Sequence, residues 1–183
     1  MDFAWIIRLS NDRMAAKTPP TLSTERLLLR PFLHQDTATL FHVLNHPDIW
    51  RYFPRTAVPT MEQTSTYLEG QLEHWDEYDL GHWAVEDNSQ TLLGWCGLQF
   101  LPDTNETEVA YCLGKAHWGK GYATEAARAG LEYGIFTLGK KEIIGLTHVD
   151  NKASQSVLLK IGLHFVDQKE YFRMECFRFR ITV

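Results

Sequence analysis

Two features of the chain have residue types and spacing suited to chemistry. One is the glycine-rich turn Trp118-Gly-Lys-Gly-Tyr-Ala-Thr-Glu125; the other is Glu108, a carboxylate inside an apolar strand pattern just before it. Gly119 and Gly121 carry no Cβ, so the backbone can take positive φ and let a bulky ligand approach closely. The turn runs into a helical pattern, where successive N–H groups can converge at the positive end of a helix and favour a phosphate or pyrophosphate. The same glycines would also serve a plain tight turn. Two familiar phosphate motifs do not fit. A nucleotide P-loop needs Ser or Thr after its Gly-Lys, and Gly121 follows Lys120. A dinucleotide fingerprint needs a third glycine at Thr124 and an acidic residue about 20 residues on, where the chain reads Gly139, Lys140, Lys141.

Alternation along Glu106–Leu113 puts Glu108, Ala110 and Cys112 on one face and Val109, Tyr111 and Leu113 on the other. A carboxylate in so apolar a strand is expected to have a raised pKa, suited to a general base near neutrality. The alternative is a solvent-facing or ion-paired strand glutamate. Glu106 sits among the polar turn residues Asp103–Thr107 and makes a poorer base; Glu125, in a first helical turn, complements the helix dipole. Cys112 lacks a basic neighbour to lower its pKa and is not expected to carry an acyl group. The eight histidines form no HxH or HExxH pattern, so no metal is expected, and His34, His42 and His46 read as surface or packing residues.

The elements that must position these residues follow from periodicity. Residues 27–32 read as a first strand ended by Pro31. Asp36 is expected to N-cap a helix with Leu40, Phe41 and Leu44 on its apolar face. An aromatic loop spans Trp50–Pro59, and Thr60 with Gln63 makes a capping box for a second helix with Thr64, Leu68, Leu72 and Trp75 on one face. Strands are expected at His82–Glu86, Thr91–Leu101 and Glu106–Leu113. A third helix follows the glycine turn, with Ala123, Ala127, Gly130, Leu131, Gly134 and Leu138 on one side and Gly139 as its stop. Then come a strand at Glu142–Val149, a helix over Asn151–Ile161, and strands at Leu163–Asp167 and Tyr171–Ile181. The order predicts one α/β domain with a mixed, mostly antiparallel sheet of six to seven strands flanked by about four helices.

The 183 residues suit one domain, and 44% hydrophobic with 22% charged residues is ordinary for a globular protein. A net charge of −5 without a basic run argues against nucleic acid as a partner. Cys96, Cys112 and Cys176 are odd in number and widely spaced, which fits small buried hydrophobes in a reducing compartment, the cytoplasm. No apolar run approaches the roughly 20 residues that span a bilayer, so no membrane association is expected. Residues 1–23 read as a flexible leader, with Met14 as a second possible native start, and 24–183 as the domain.

This order of elements, with the glycine turn between the fourth strand and the third helix, resembles the GNAT family of acetyl-CoA-dependent N-acetyltransferases from about Thr24 onward. Four stretches look most like the branch that acetylates ribosomal-protein N-termini: Thr24-Glu-Arg-Leu-Leu-Leu-Arg-Pro31, His46-Pro-Asp-Ile-Trp50, Trp118–Glu125 and Asn151-Lys-Ala-Ser154. The resemblance implies that the amides of Gly119, Lys120, Gly121, Tyr122, Ala123 and Thr124 hold the pyrophosphate of acetyl-CoA. Trp118 departs from the family's Gln or Arg, a change of side chain rather than of backbone. Leu113 would offer backbone groups to the pantetheine arm and an amide to the oxyanion, and Glu108 matches a glutamate the family often uses as base. Asn151 would contact pantetheine, and as a helix N-cap it can do both. Many members carry a tyrosine acid seven residues after this Asn, where the chain has Leu158. Ser154 is the expected donor to the departing thiolate instead, with Ser156 as its rival.

On the acceptor side, the resemblance places Trp50, Tyr52 and Phe53 at the border of the amine pocket, with Tyr171 and Phe172 as the opposite rim; Trp50 and Phe53 would equally suit a plug for the core. The expected partners are acetyl-CoA and an amine acceptor, with the protein a monomer or homodimer. A protein or peptide N-terminus is the first acceptor implied, and a polyamine, amino acid or aminoglycoside-like amine the second. A catalytically silent acyl-CoA-binding module is the alternative outside enzymes.

Overall fold

The structure, a computed structural model, describes residues 19–54 and 56–183. The chain begins there with β1 (Leu22–Ser23), which pairs antiparallel with β2 (Leu27–Arg30). Leu22 and Ser23, the last residues of the expected leader, thus form an edge strand of the sheet. Pro20 is also held, because Trp83 Nε1 donates to its carbonyl at 2.7 Å. The rest of the expected leader, residues 1–18, lies outside the described residues.

Next come α1 (Asp36–Leu44), α2 (Pro47–Trp50), α3 (Met61–Tyr78), β3 (His82–Asp87), β4 (Leu92–Leu101) and β5 (Glu106–Leu113). After a short 3-10 turn at Lys115–His117 follow α4 (Tyr122–Glu132), a π-type turn at Tyr133–Thr137, β6 (Glu142–His148), α5 (Lys152–Lys160), β7 (His164–Tyr171) and β8 (Met174–Thr182). The sheet has eight strands in the order β1-β2-β3-β4-β5-β6-β8-β7, antiparallel throughout except between β5 and β6. That gives one strand and one helix more than the sequence pattern predicts. The extras are the two-residue β1 and the four-residue α2, both shorter than any periodicity can reveal.

Two apolar clusters fill the two faces. On one, α4 and α5 cover Leu29, Trp83, Val85, Leu98, Val109, Leu113 and Ile143. The small buried residues Ala126, Ala127 and Gly130 let α4 lie close to the strands. On the other face α1 and α3 pack Leu40, Leu44 and Leu68 onto Ala84, Trp95 and Cys112. The capping box at Thr60 and Gln63 forms as expected, with Thr60 Oγ1 accepting from Gln63 N at 3.2 Å and Gln63 Oε1 from Thr60 N at 3.0 Å.

Asp36 does not cap α1; Gln35 holds that position. The Asp36 carboxylate instead accepts both terminal nitrogens of Arg30, at 2.7 and 2.8 Å, and the amide of Leu33 at 2.8 Å. Arg30 also pairs with Glu86, so β2, α1 and β3 share one guanidinium whose pKa the two carboxylates raise further. Asp36 is 6% exposed, so removing it leaves a shielded guanidinium short of a partner. Breaking such a pair costs about 3–5 kcal/mol when fully buried, and Arg30 keeps Glu86. Asp36→Ala is therefore expected to lower unfolding stability by about 2–3 kcal/mol in urea melts. A loss under about 0.5 kcal/mol would contradict this role.

Candidate active site

β5 and β6 are parallel neighbours joined through α4, and their register holds for a single pair, Glu108 with Ile144. Beyond it the strands part. The amide of Leu146 finds its acceptor in the Glu108 carboxylate, Oε1 at 3.3 Å, rather than in a β5 carbonyl. The other carboxylate oxygen, Oε2, accepts from Gln99 Nε2 at 2.5 Å, across the β4–β5 ladder. Glu108 is 5% exposed, and its burial raises the carboxyl to about 7; the two hydrogen bonds pull the other way without cancelling it. It shares a face with Ala110 and Cys112, as alternation predicts.

Glu106 lies in β5 itself rather than in a turn. It accepts from Arg178 Nη1 at 2.8 Å and from the Tyr171 hydroxyl at 3.0 Å. Hydrogen bonds from its partners outweigh burial and hold Glu106 below its ordinary pKa, so it remains a counter-ion. The Cys112 thiol is pushed up by burial, which removes it as a nucleophile.

The register of β4 and β5, with Gly114 N donating to Leu93 O at 2.8 Å, turns the backbone groups of Tyr111 and Leu113 away from β4, toward the gap. The Leu113 carbonyl is already taken, because Trp118 Nε1 donates to it at 2.8 Å. Trp118 thus braces the end of β5, a role its replacement of Gln or Arg did not suggest.

At the turn, Gly119 and Gly121 have φ of 73° and 83°, in the left-handed region that glycine adopts freely. Gly121 caps α4 with no side-chain hydrogen bond, so the first amides of that helix are available to an anion. A Cβ built on Gly119 would meet nothing within 4 Å, and one on Gly121 only Arg26 Nη2 at 3.3 Å. This is a cradle with backbone donors and room, and it fits a pyrophosphate.

Arg26 is the residue here that sequence reasoning missed. Glu125 accepts from Thr24 Oγ1 at 2.6 Å, from Arg26 N at 2.8 Å and from Arg26 Nε at 2.7 Å. Arg26 Nη1 in turn donates to the Lys120 carbonyl at 3.0 Å, and its guanidinium lies 4.8 Å from the Tyr122 ring centroid. The segment before β2 thereby grips both sides of the glycine turn. Glu125 does lie at the positive end of α4, but its hydrogen bonds go to Thr24 and Arg26. Pairing with the carboxylate keeps its pKa low despite the burial.

Asn151 is the N-cap of α5, its Oδ1 accepting from Ser154 N at 3.1 Å. Its side-chain NH2 is not used by that cap. The Ser154 hydroxyl lies 2.9 Å from the Tyr111 hydroxyl, which also reaches the Ser154 carbonyl at 3.1 Å. Leu158 is 1% exposed and packs into the space left by Gly145 on β6. Ser156 is half-buried in the same helix.

Of the acceptor-side residues, Trp50 Nε1 donates to Leu44 O at 2.9 Å, and its ring lies 5.0 Å from that of Phe53. Phe53 reaches Trp95 at 6.5 Å, so both pack partly against the core. Tyr52 points elsewhere, to His148 at the end of β6, 5.3 Å away. Tyr171 closes β7 rather than opening β8 and is 8% exposed, while Phe172 sits in the turn and is 50% exposed. Around Tyr171 lies a polar cluster with Glu106, Arg178 and Asp167, Asp167 accepting from Arg178 at 2.8 and 3.0 Å. Lys115 pairs with Asp48, which links α2 to the segment before the glycine turn. Among the described residues no cluster of His, Cys, Asp and Glu could hold a metal, and no helix is long and apolar enough to cross a membrane.

The sequence matches the Acetyltransferase (GNAT) domain family over residues 26–164. The chain belongs to the GNAT acetyltransferase family. This N-acetyltransferase is 36% identical over 156 residues to the uncharacterized protein YkkB of Bacillus subtilis, covering 83% of this chain and 88% of the relative. Its fold is similar to a GNAT-family acetyltransferase from Bacillus anthracis, with TM-score 0.78, 23% identity, and 89% and 98% of the two chains covered. A ribosomal L7/L12 alpha-N-protein acetyltransferase in complex with coenzyme A is also similar in fold, with TM-score 0.74, 14% identity, and 90% and 98% covered.

Burial raises the Glu108 carboxyl from 4.5 to about 7, so between those values the folded protein holds a proton that the unfolded chain releases. The carboxyl's contribution to stability is complete below about 4.5 and lost as pH rises through about 7. Glu108→Gln lacks this titration. From pH 5 to pH 8 the wild-type GNAT domain should lose up to about 3 kcal/mol relative to Glu108→Gln in paired denaturation curves. Parallel curves at both pH values would contradict the buried carboxyl.

Proposed function

We propose that this enzyme transfers the acetyl group of acetyl-CoA to the α-amine of a protein or peptide N-terminus by direct attack, with Glu108 as general base. The observation that carries the reading is the buried Glu108 carboxylate in the β5–β6 opening, with a pKa near 7, on the same sheet as the uncapped glycine turn. The turn amides from Gly119 to Thr124 bind the pyrophosphate, and Asn151 and the Leu113 amide hold the pantetheine arm. Glu108 takes a proton from the acceptor ammonium, directly or through water. The neutral amine attacks the thioester carbon, and the oxyanion accepts from the Leu113 amide. The nitrogen gives its second proton to solvent water as the C–S bond breaks with its electron pair on sulfur, and Ser154 donates a hydrogen bond to the thiolate.

The choice of a protein N-terminus rests on the four stretches that resemble the ribosomal-protein branch and on the fold shared with the L7/L12 enzyme. Labelled acetyl-CoA offered with N-terminal peptides and small amines together is expected to label a peptide α-amine. Label on a small amine would redirect the function to metabolite modification. Bound cofactor with no labelled product under any amine would favour the silent module.

With the acceptor so identified, kcat/KM should rise with pH through about 7 as Glu108 ionises. Glu108→Gln should lose that rise and fall by about 10²–10⁴-fold; an unaltered profile would assign the base elsewhere. Gly121→Val should abolish acetyl-CoA binding in calorimetry while the fold persists. It places a branched side chain against Arg26 Nη2, which a Cβ there would meet at 3.3 Å, on a backbone with φ of 83°, and unchanged affinity would remove the pyrophosphate site.

A further inference from the structure

We propose that Tyr111 is a positioning residue for the leaving group: its hydroxyl and that of Ser154 form a pair that holds the CoA thiolate, Ser154 touching the sulfur and Tyr111 acting through Ser154. The inference rests on the cofactor site proposed above. Tyr111 projects from β5 toward α5, and its hydroxyl lies 2.9 Å from Ser154 Oγ and 3.1 Å from Ser154 O. One phenol proton thus faces two acceptors on one residue. When it goes to the carbonyl, the serine proton is spent on the tyrosine oxygen. When it goes to Oγ, the serine proton is free to turn toward a ligand. The Tyr111 backbone faces the β5–β6 gap, while its side chain carries the hydroxyl to the first turn of α5, where Asn151 also lies.

The pair serves by hydrogen bonding rather than by giving up a proton. A thiol ionises near about 8.5 and a phenol near about 10, and burial pushes Tyr111 higher still. Proton transfer from Tyr111 to a thiolate therefore runs uphill, and from a serine hydroxyl further uphill. The balanced step forms the C–N bond and breaks C–S with its electron pair on sulfur. Glu108 takes the first proton from the ammonium and solvent water takes the second from the nitrogen, while the thiolate accepts a hydrogen bond from the Ser154 O–H and Tyr111 donates to Ser154 Oγ. The thiolate later takes its proton from solvent, to which Glu108 returns the one it collected. Leu158, packed against Gly145, has no hydroxyl to offer in this role.

The test uses the full chain and free CoA, with no acceptor needed. The thiolate of bound CoA absorbs in the near ultraviolet, so its ionisation is followed by difference absorbance against pH. In the wild type the bound thiol should ionise at lower pH than free CoA. Tyr111→Phe and Ser154→Ala should each move that midpoint up by about 1–2 pH units, the effect of one hydrogen bond to a charged group. The double variant should go no further than Ser154→Ala. CoA affinity below pH 6, where the thiol is protonated, should stay within about twofold, which a general loss of structure would not allow. A midpoint unmoved by Tyr111→Phe, with CoA still bound, overturns the proposal and leaves the cofactor site standing. Failure of the wild type to bind CoA overturns both. If Tyr111→Phe does not fold, 3-fluorotyrosine at position 111 keeps the ring and makes a stronger donor; the midpoint should then move down, and no movement again overturns the proposal.

Discussion

The rest of the site depends on the parting of β5 and β6. Parallel neighbours need a crossover, and α4 supplies it, so the helix must begin where β5 has just ended. The glycine turn sits at that junction for this reason. β6 runs on to the start of α5, which brings Asn151 and Ser154 to the same end of the sheet. A full ladder would have closed the gap. The Glu108 side chain instead takes up the Leu146 amide, satisfying a backbone donor that the separation would have left alone. Burial raises the carboxyl's pKa while the Leu146 hydrogen bond opposes that rise, so the strand separation places the carboxylate and its enclosure sets the direction of the shift.

The N-terminal motif fixes this arrangement from both faces. On the α4 side, Thr24 and Arg26 bind Glu125, and Arg26 binds the Lys120 carbonyl, so the turn cannot shift without breaking several hydrogen bonds. On the α1 side, Arg30 joins Asp36 and Glu86. The turn's glycines give it freedom, and the latch removes most of that freedom in the folded state. A preorganised cradle costs less to fill than one that must be ordered by its ligand. The short resemblance motif at Thr24–Pro31 thus has a physical content, two charged clamps four residues apart.

Much of this was legible in the sequence where one local rule acts alone. β5 has the predicted bounds, Glu106–Leu113, because alternation was regular; Thr60 and Gln63 form their box because they lie only three positions apart. Gly139, with φ of 66°, follows the α4 segment, although a π-type turn intervenes that no 3.6 period announces. The last hairpin was misjudged by three residues. Its turn, Phe172-Arg173, holds φ of 52° and 62° without glycine or asparagine, so the usual signal is missing. Asp36 was misread because a carboxylate at a helix start looks the same whether it caps the helix or pairs with an arginine from another strand. The site's shared contacts were the hardest to see. Gln99 with Glu108, Arg178 with Glu106, and Tyr111 with Ser154 are 9, 72 and 43 residues apart. Their meeting depends on sheet order, which a linear pattern does not carry.

The position of the hydroxyl pair has its own structural reason. α5 is short, and its buried residue is Leu158, which fills the space over Gly145. A larger, polar side chain at that position would have to displace the packing of β6 against Leu163, since Leu158 is almost fully enclosed. The second turn of α5 is therefore committed to the core. A hydroxyl that faces the opening must come from the first turn, where Asn151 fixes the helix start and Ser154 is half-buried. A lone serine hydroxyl at a helix start rotates freely and bonds readily to local backbone. Tyr111 limits that rotation from the facing strand, on a rigid ring with its own backbone set in the sheet.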